Sequence, residues 1–177
     1  MNPLNINPLQ KLVKSFFEFE KLRQYKGVKL FLCATHVQTG KLKIFSIEHL
    51  RENVLLASAC LPFLFHAVEV NGEYYWDGGF VGNPAVYPLI YQCETPEIII
   101  VQLTAMSQDK LPATATEIID RHKEITFNAC LIREMRSINY ISRLIDSGLL
   151  DANKTKRLHV HLIRNEDVFQ VWNCRVL

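Results

Sequence analysis

The 177 residues of this chain, 49% of them hydrophobic, make about one domain and can bury a sizeable core. A formal net charge of +2, with no long run of like charges, argues against nucleic acid as a partner. No apolar stretch is long enough to span a bilayer and no signal-like segment opens the chain, so we expect a protein that is cytoplasmic or peripheral to a membrane.

The first part of the chain alternates helical and extended patterns. Residues 8–25 carry apolar side chains at helical spacing, and residues 26–37 have the composition of a strand. A turn then leads to a second short strand at 41–47. Residues 49–65 begin as a helix that Pro62 ends or kinks, because proline has no N–H and its ring clashes with the preceding turn.

A β-hairpin is predicted next. Two short strand-like segments, 66–70 and 73–76, flank the pair Asn71-Gly72. Asn-Gly is favoured in two-residue hairpin turns because both central positions require a positive φ.

The hairpin ends on Asp77, which Gly78 and Gly79 follow at once. Asn83-Pro84 then predicts the start of a helix, with Asn as N-cap and Pro at the first helical position. Loops that follow strand ends in α/β sheets are where catalytic groups collect. Asp-Gly is also a common pair in simple turns, so on spacing alone we favour a second hairpin turn over an active-site carboxylate.

The second half continues the alternation. Residues 97–105 form a near-continuous apolar strand, of the kind buried on both faces of a parallel sheet. Thr114 and Glu117 are spaced as a capping box that opens a helix running to about Gly148. Residues 157–164 alternate as a strand does. Strands separated by helices predict an α/β sandwich with helices over a mainly parallel sheet.

Within the long helix, one apolar stripe is predicted to cover the sheet: Leu131, Met135, Ile138, Ile141 and Ile145. The basic residues lie elsewhere on the helix: Arg121, Lys123, Arg133, Arg136 and Arg143. Such a basic face either points into water or lies on an anionic lipid surface. We favour the first interpretation.

Residues 57–89 resemble the second catalytic block of the patatin-like phospholipases. In that family a helix with an A-S-x-x-x-P-x-x-F pattern leads to a hairpin that delivers Asp-Gly-Gly or Asp-Gly-Ala, followed by Asn and Pro. The matching positions are Ser58, Pro62, Phe65, Asp77, Gly78, Gly79, Asn83 and Pro84. Weaker likeness extends over most of the chain. The resemblance implies a partial patatin-like α/β/α sandwich with a mainly parallel sheet.

This resemblance implies hydrolysis of a lipid or other ester by a Ser–Asp dyad, with no cofactor and no metal. Asp77 would be the dyad base, and Gly78 and Gly79 would let the backbone pass close to the nucleophile. Pro62, Asn83 and Pro84 would support the site. Because aspartate is a weak base near neutral pH, it would need an apolar wall. The candidates for that wall are Tyr74, Tyr75, Trp76 and Phe80.

The sequence departs from the family at the nucleophile. No G-x-S-x-G occurs, and Ser15, Ser46 and Ser58 lack that frame. We therefore expect residues 1–165 to be the C-terminal part of a patatin-like domain without its nucleophile half, inactive alone, and 166–177 to be a tail of unclear structure.

The expected partners are a lipid or ester substrate, a membrane surface, and either a second copy or an upstream fragment that supplies the missing strands. The alternative function is a non-catalytic module that binds lipid or a partner. A decayed gene product without a retained role is a third possibility.

Other nucleophiles and metal ligands have weaker support. The cysteines, odd in number and without C-x-x-C, predict reduced and mostly buried thiols: Cys33, Cys60, Cys93, Cys130 and Cys174. Cys60 lies late in an apolar helix, which predicts a buried structural thiol rather than a nucleophile. His159 and His161 share a strand face but have no evident carboxylate or cysteine partner for a metal. His36 and His66 are expected to be core or surface residues.

Overall fold

The computed structural model describes residues 6–164 and 167–170, the last four by their backbone only. The chain divides into two compact units, Met1–Pro88 and Leu89–Leu177. The first contains α1 (Leu9–Phe16), α2 (Phe19–Gln24), β1 (Phe31–His36), β2 (Leu42–Ser46), α3 (Glu52–Ser58), β3 (Val68–Val70) and β4 (Glu73–Asp77), with short 3-10 helices at Ile47–His49 and Gly78–Phe80. Helix α4 (Tyr87–Gln92) contains the junction. The second contains β5 (Glu97–Gln102), α5 (Ala115–Asp146), β6 (His159–Arg164) and β7 (Asp167–Gln170).

The sheet of the first unit has the strand order β2-β1-β4-β3, and all neighbours are antiparallel. Short turns join β1 to β2 and β3 to β4, and such turns can connect only antiparallel strands. The predicted hairpin is confirmed, because Asn71 and Gly72 both have positive φ, at 55° and 83°. Pairing of β1 with β4 sets Ala34 opposite Asp77 and so fixes the backbone position from which the Asp77 side chain extends.

One face of this sheet packs against α3. The buried cluster comprises Ala34, Phe45, Val54, Ala57, Val70 and Tyr75. Helix α3 contacts β1, β3 and β4 through it. Because fully burying an aliphatic side chain stabilises a fold by about 1.5–3 kcal/mol, this cluster is what holds the hairpin and β1 together.

The sheet of the second unit pairs β5 with β6 in parallel and β6 with β7 antiparallel. The predicted α/β class is confirmed, and the parallel pairing that we expected is found here. Leu131, Met135 and Ile138 of α5 are buried as predicted. The buried Gln102 amide donates to Asn128 Oδ1 at 3.0 Å, which joins the end of β5 to α5.

Two predicted helices are shorter than the sequence pattern suggested. The helix at 8–25 is broken at Phe17, which is extended (φ −112°, ψ 121°), and the Phe17 and Phe19 rings stack across the break at 6.0 Å. Helix α3 ends at Ser58, before Pro62, where the N–H groups of Ala59 and Cys60 donate to the carbonyls of Leu56 and Ala57, three residues back. The Cys60 carbonyl beyond it accepts from the N–H of Asp77. Short helices depend on tertiary contacts, which decide their ends.

The predicted burial of β5 on both faces is wrong. Ile98, Ile100 and Gln102 are buried, whereas Ile99 and Val101 are 66% and 65% exposed. Only the face towards α5 is covered. In α5 itself, Ile141 is exposed and Ser142 is buried, because the stripe continues at the helical period from Ile138 to Ser142.

The predicted capping box is confirmed and gives a test of α5. Glu117 N–H donates to Thr114 Oγ1, while Glu117 Oε2 accepts from the backbone N–H groups of Thr114 and Ala113. These hydrogen bonds, that from Thr114 first, lower the pKa of Glu117. A lowered folded-state pKa adds stability above about pH 4.3, the ordinary value for glutamate, and that stability is lost as pH falls through the folded pKa.

We therefore expect Glu117→Gln to lower the melting temperature at pH 7 and to make no difference at strongly acidic pH. Thr114→Ala, which removes the other half of the box, should cost about 1 kcal/mol at either pH. Thermal melts of both variants across pH would check this. A Glu117→Gln effect that does not change with pH would contradict the charge-based account.

Candidate active site around Asp77

The backbone of Asp77 is anchored on two sides. Its N–H donates to the carbonyl of Cys60 at 2.9 Å, and its carbonyl accepts from the hydroxyl of Thr35 at 2.7 Å. Asp77 is the last residue of β4 and pairs with Ala34 of β1. The strand end therefore cannot shift without breaking contacts to both β1 and the segment after α3.

The two oxygens of the Asp77 carboxylate have different surroundings. Oδ1 accepts from the N–H of Gly79 at 2.7 Å and caps the 3-10 helix Gly78–Phe80. No described residue makes a hydrogen bond to Oδ2. The side chain is partly buried. The arrangement holds one oxygen in place and leaves the other able to accept a proton from a neighbouring group.

The glycine after Asp77 is required by a close approach. Gly78 is buried, and a Cβ built on it would lie closer than 3.0 Å to the backbone carbonyl of Cys33 in β1. Real Cβ atoms do not approach backbone atoms so closely. The turn therefore passes directly against β1, and only glycine fits there.

Cys60 lies beside Asp77 but has the properties of a structural thiol. It is fully buried, and its Sγ donates to the carbonyl of His66 at 3.1 Å. Burial raises the pKa of the Cys60 thiol, and the negative charge of Asp77 raises it further. The thiol is therefore neutral at neutral pH and a poor nucleophile. The prediction of a buried structural thiol at Cys60 is confirmed.

This predicts that alkylation will distinguish the cysteines. Iodoacetamide at pH 8 should modify the partly exposed Cys93 and leave Cys60 unmodified in the folded protein. Peptide mass spectrometry would report each site, and denatured protein, in which both react, is the control. Alkylation of Cys60 at the rate of Cys93 in the folded chain would contradict the structural assignment.

Pro62 lies in a loop that lines an apolar cavity of about 630 Å³. Its walls include Pro62, Phe63, Leu64, Phe65, Trp76 and Phe80, with Thr35 at the sheet. Phe63 has a φ of 72°, in the left-handed region that favours glycine, and its side chain is 86% exposed. An exposed phenylalanine in that conformation is uncommon.

The cavity and Asp77 belong to opposite faces of the sheet. Cross-strand partners share a face, so Asp77 lies on the face of Ala34, whereas the cavity lies on the face of Thr35 and Trp76. The predicted apolar wall is thus divided. Tyr75 is buried on the side of Asp77, whereas Trp76 and Phe80 line the cavity and Tyr74 is exposed.

The prediction that Asn83-Pro84 begins a helix is wrong. These residues form a turn with a cis peptide bond, and α4 begins at Tyr87. Pro88, at the second position of α4, takes the place in the first turn where a missing N–H costs least. Asn83 and Pro84 therefore follow the Asp77 turn without capping the helix.

The remaining candidates do not assemble into a second site. Ser58 Oγ donates to the carbonyl of Leu55 within α3. His161 does have a carboxylate neighbour, Glu97 Oε2 at 2.6 Å, which the sequence pattern did not indicate. His36 likewise contacts Glu73 Oε2 at 2.7 Å. Among residues 6–164 and 167–170, no group of three or more His, Cys, Asp or Glu is placed to hold a metal ion.

A serine–histidine contact was missed at the sequence level. Ser46 Oγ lies 3.0 Å from His49 Nδ1, at the start of the 3-10 helix Ile47–His49. The spacing of three residues next to a strand end is the signal that would have indicated it. It is a local contact between two side chains, and the Ser46 side chain makes no cap hydrogen bond to the helix backbone.

Comparison with known protein families decides the assignment of this segment. Residues 5–90 match the family model described as patatin-like phospholipase. Over these residues the chain is similar to the patatin-like phospholipases. No curated protein matches the chain. The family resemblance predicted from the Asp77 segment is confirmed for residues 5–90, and lipid acyl hydrolysis is the chemistry of that family.

One further finding concerns membranes. In the part of the chain that the structure describes, no helix combines the length and the hydrophobicity needed to cross a bilayer.

Proposed function

We propose that this patatin-like chain carries the base half of a lipid acyl hydrolase site. Asp77 is the group that takes the proton from a serine nucleophile, and the serine comes from a segment outside these 177 residues. The observation that carries the proposal is the carboxylate with Oδ1 held by the N–H of Gly79 and Oδ2 without a hydrogen bond to any described residue. A fixed base with one open oxygen is what general-base catalysis requires.

The reaction follows the covalent route of acyl-transfer enzymes. The serine Oγ forms a bond to the ester carbonyl carbon while its proton moves to Oδ2 of Asp77. The tetrahedral intermediate collapses, the C–O bond to the alcohol breaks, and the proton leaves with the alcohol. Water then attacks the acyl-serine, with Asp77 again as base, and releases the acid. The hydrogen bond from the N–H of Gly79 to Oδ1 keeps the carboxylate oriented through both steps.

The finer assignments follow from this proposal. Gly78 lets the turn pass close to its neighbours, and Pro62, Asn83 and Pro84 support the loops on either side. We extend the patatin-like portion to residue 165, and the tail at 166–177 lies outside the described residues apart from the backbone of β7. The chain alone is inactive because it lacks G-x-S-x-G.

The same unit supports two proposals about partners. Among the described strands, β2 and β3 end the sheet with unpaired edges, which favours self-association or pairing with the segment that carries the nucleophile. Leu61, Phe63 and Leu64 are exposed in one loop, which favours contact with a membrane surface.

The alternative is a non-catalytic module that binds lipid or a partner. The absence of G-x-S-x-G and the apolar cavity of about 630 Å³ favour it. An apolar cavity of this size can hold a ligand without any catalytic group.

An assay of ester hydrolysis distinguishes the hydrolase proposal from the non-catalytic module. It is run on the chain alone and on the chain joined to a patatin-like segment that carries G-x-S-x-G. The chain alone should not turn over a short-chain nitrophenyl ester, because loss of oxyanion donors alone costs about 10²–10³ in rate. The joined protein should turn it over. Turnover by the chain alone, abolished by Asp77→Asn, would overturn the missing-nucleophile proposal. A folded joined protein that binds lipid vesicles without turnover would favour the module.

A further inference from the structure

The basic residues of α5 fall into two groups. In the first half of the helix, Arg121 bonds to Glu124 Oε2 and to the carbonyl of Met106, and Lys123 pairs with Asp120. In the second half, Arg136 and Arg143 make no ion pair with any described residue. Arg133 likewise makes no ion pair with a described residue, so the second half of α5 presents three such guanidinium charges, of which those of Arg136 and Arg143 lie together.

These two arginines frame a cleft of about 250 Å³, lined by Arg136, Asn139, Tyr140 and Arg143. The two arginines are seven positions apart, which is about two turns, or about 10.5 Å, along the helix axis. At 100° per residue, the four side chains fall within an arc of about 100°, beside the buried stripe of α5. The cleft is thus a feature of one helix face within the second unit.

Every group that lines the cleft can donate a hydrogen bond, and none is a carboxylate. A guanidinium presents parallel N–H groups that match two oxygens of an oxyanion. The Tyr140 hydroxyl and the Asn139 amide add donors between the two charges. A phosphate group can accept from both arginines at once, and it offers more acceptor oxygens and more negative charge than a single carboxylate does.

We propose that this cleft binds a phosphate group. Two sources present the same chemistry: the headgroup of an anionic phospholipid in a membrane, and a soluble phosphate ester. The site does not involve Asp77, so it stands or falls independently of the hydrolase proposal.

The test uses the full chain and two probes. Glycerol 3-phosphate is titrated by calorimetry, and vesicles of phosphatidylcholine with and without phosphatidic acid are tested by co-sedimentation. Arg136→Gln with Arg143→Gln should weaken binding by at least about tenfold, because each removes charged hydrogen bonds. Lys110→Gln with Arg133→Gln removes the same charge from exposed positions outside the cleft and should change binding by less than about twofold.

The conservative pair Arg136→Lys with Arg143→Lys keeps the charge and loses the paired donors, so it should also weaken binding. Binding of both probes with this pattern assigns the phosphate itself as the ligand, and binding of the phosphatidic acid vesicles alone assigns a membrane headgroup. The proposal is overturned if neither glycerol 3-phosphate nor the phosphatidic acid vesicles bind. An equal loss of binding in the Lys110/Arg133 variant would also overturn it, because binding would then depend on overall positive charge and not on the cleft.

Discussion

Asp77→Asn is expected to lower ester turnover of the joined enzyme by about 10²–10⁴-fold, the usual contribution of a general base. Asparagine has nearly the same shape, and its carbonyl can accept from the N–H of Gly79 as Oδ1 does. The turn should therefore keep its conformation while the site loses its proton acceptor. The loss should appear in kcat, with little change in melting temperature.

The matched control is Asp109→Asn, which removes an exposed carboxylate with the same change in charge. It should leave kcat unchanged. If the Asp77→Asn enzyme kept a kcat within about tenfold of that of the joined enzyme with Asp77, another group would be the base. A large fall in melting temperature would instead assign Asp77 to the stability of the turn.

Gly78→Ala is expected to destabilise the fold by about 2–3 kcal/mol, at the upper end for overpacking. The new methyl group would overlap the backbone carbonyl of Cys33, which is held in β1 between β2 and β4 and cannot move aside. Urea denaturation of the purified chain would measure the loss.

Gly82→Ala is the control for this effect. A Cβ there would lie 2.7 Å from both methyl groups of Leu42, a flexible side chain that can rotate away, and 3.3 Å from the Cβ of Ala85. Its cost should stay below about 1 kcal/mol. Equal losses in the two variants would show that the contact with Cys33 is not what requires glycine at position 78.

The features predictable from sequence are those that neighbouring residues determine. Asn71-Gly72 specified its hairpin and the Thr114–Glu117 box specified the start of α5, because each is stabilised by groups a few residues apart. The pattern from Ser58 to Pro84 indicated the family for the same reason. The match to residues 5–90 confirmed the family.

The features that sequence did not predict depend on which strands become neighbours. The exposed face of β5 follows from α5 covering only one side of its sheet. The segment just after α3 makes a long-range hydrogen bond, in which the Cys60 carbonyl accepts from the N–H of Asp77. The separation of Asp77 from the cavity follows from the pairing of Ala34 with Asp77 and of Thr35 with Trp76. No local pattern encodes such long-range pairings.

The two-residue turn at Asn71-Gly72 has a consequence for how this segment can vary. Val70 pairs with Glu73, and from there β4 alternates its faces to Asp77. Loss or gain of a single residue between Gly72 and Asp77 would turn the carboxylate to the opposite face, towards the cavity. Substitutions in β4 leave this orientation intact. The length of the interval is therefore under stricter constraint than its composition, and variation here should consist of exchanges rather than insertions or deletions.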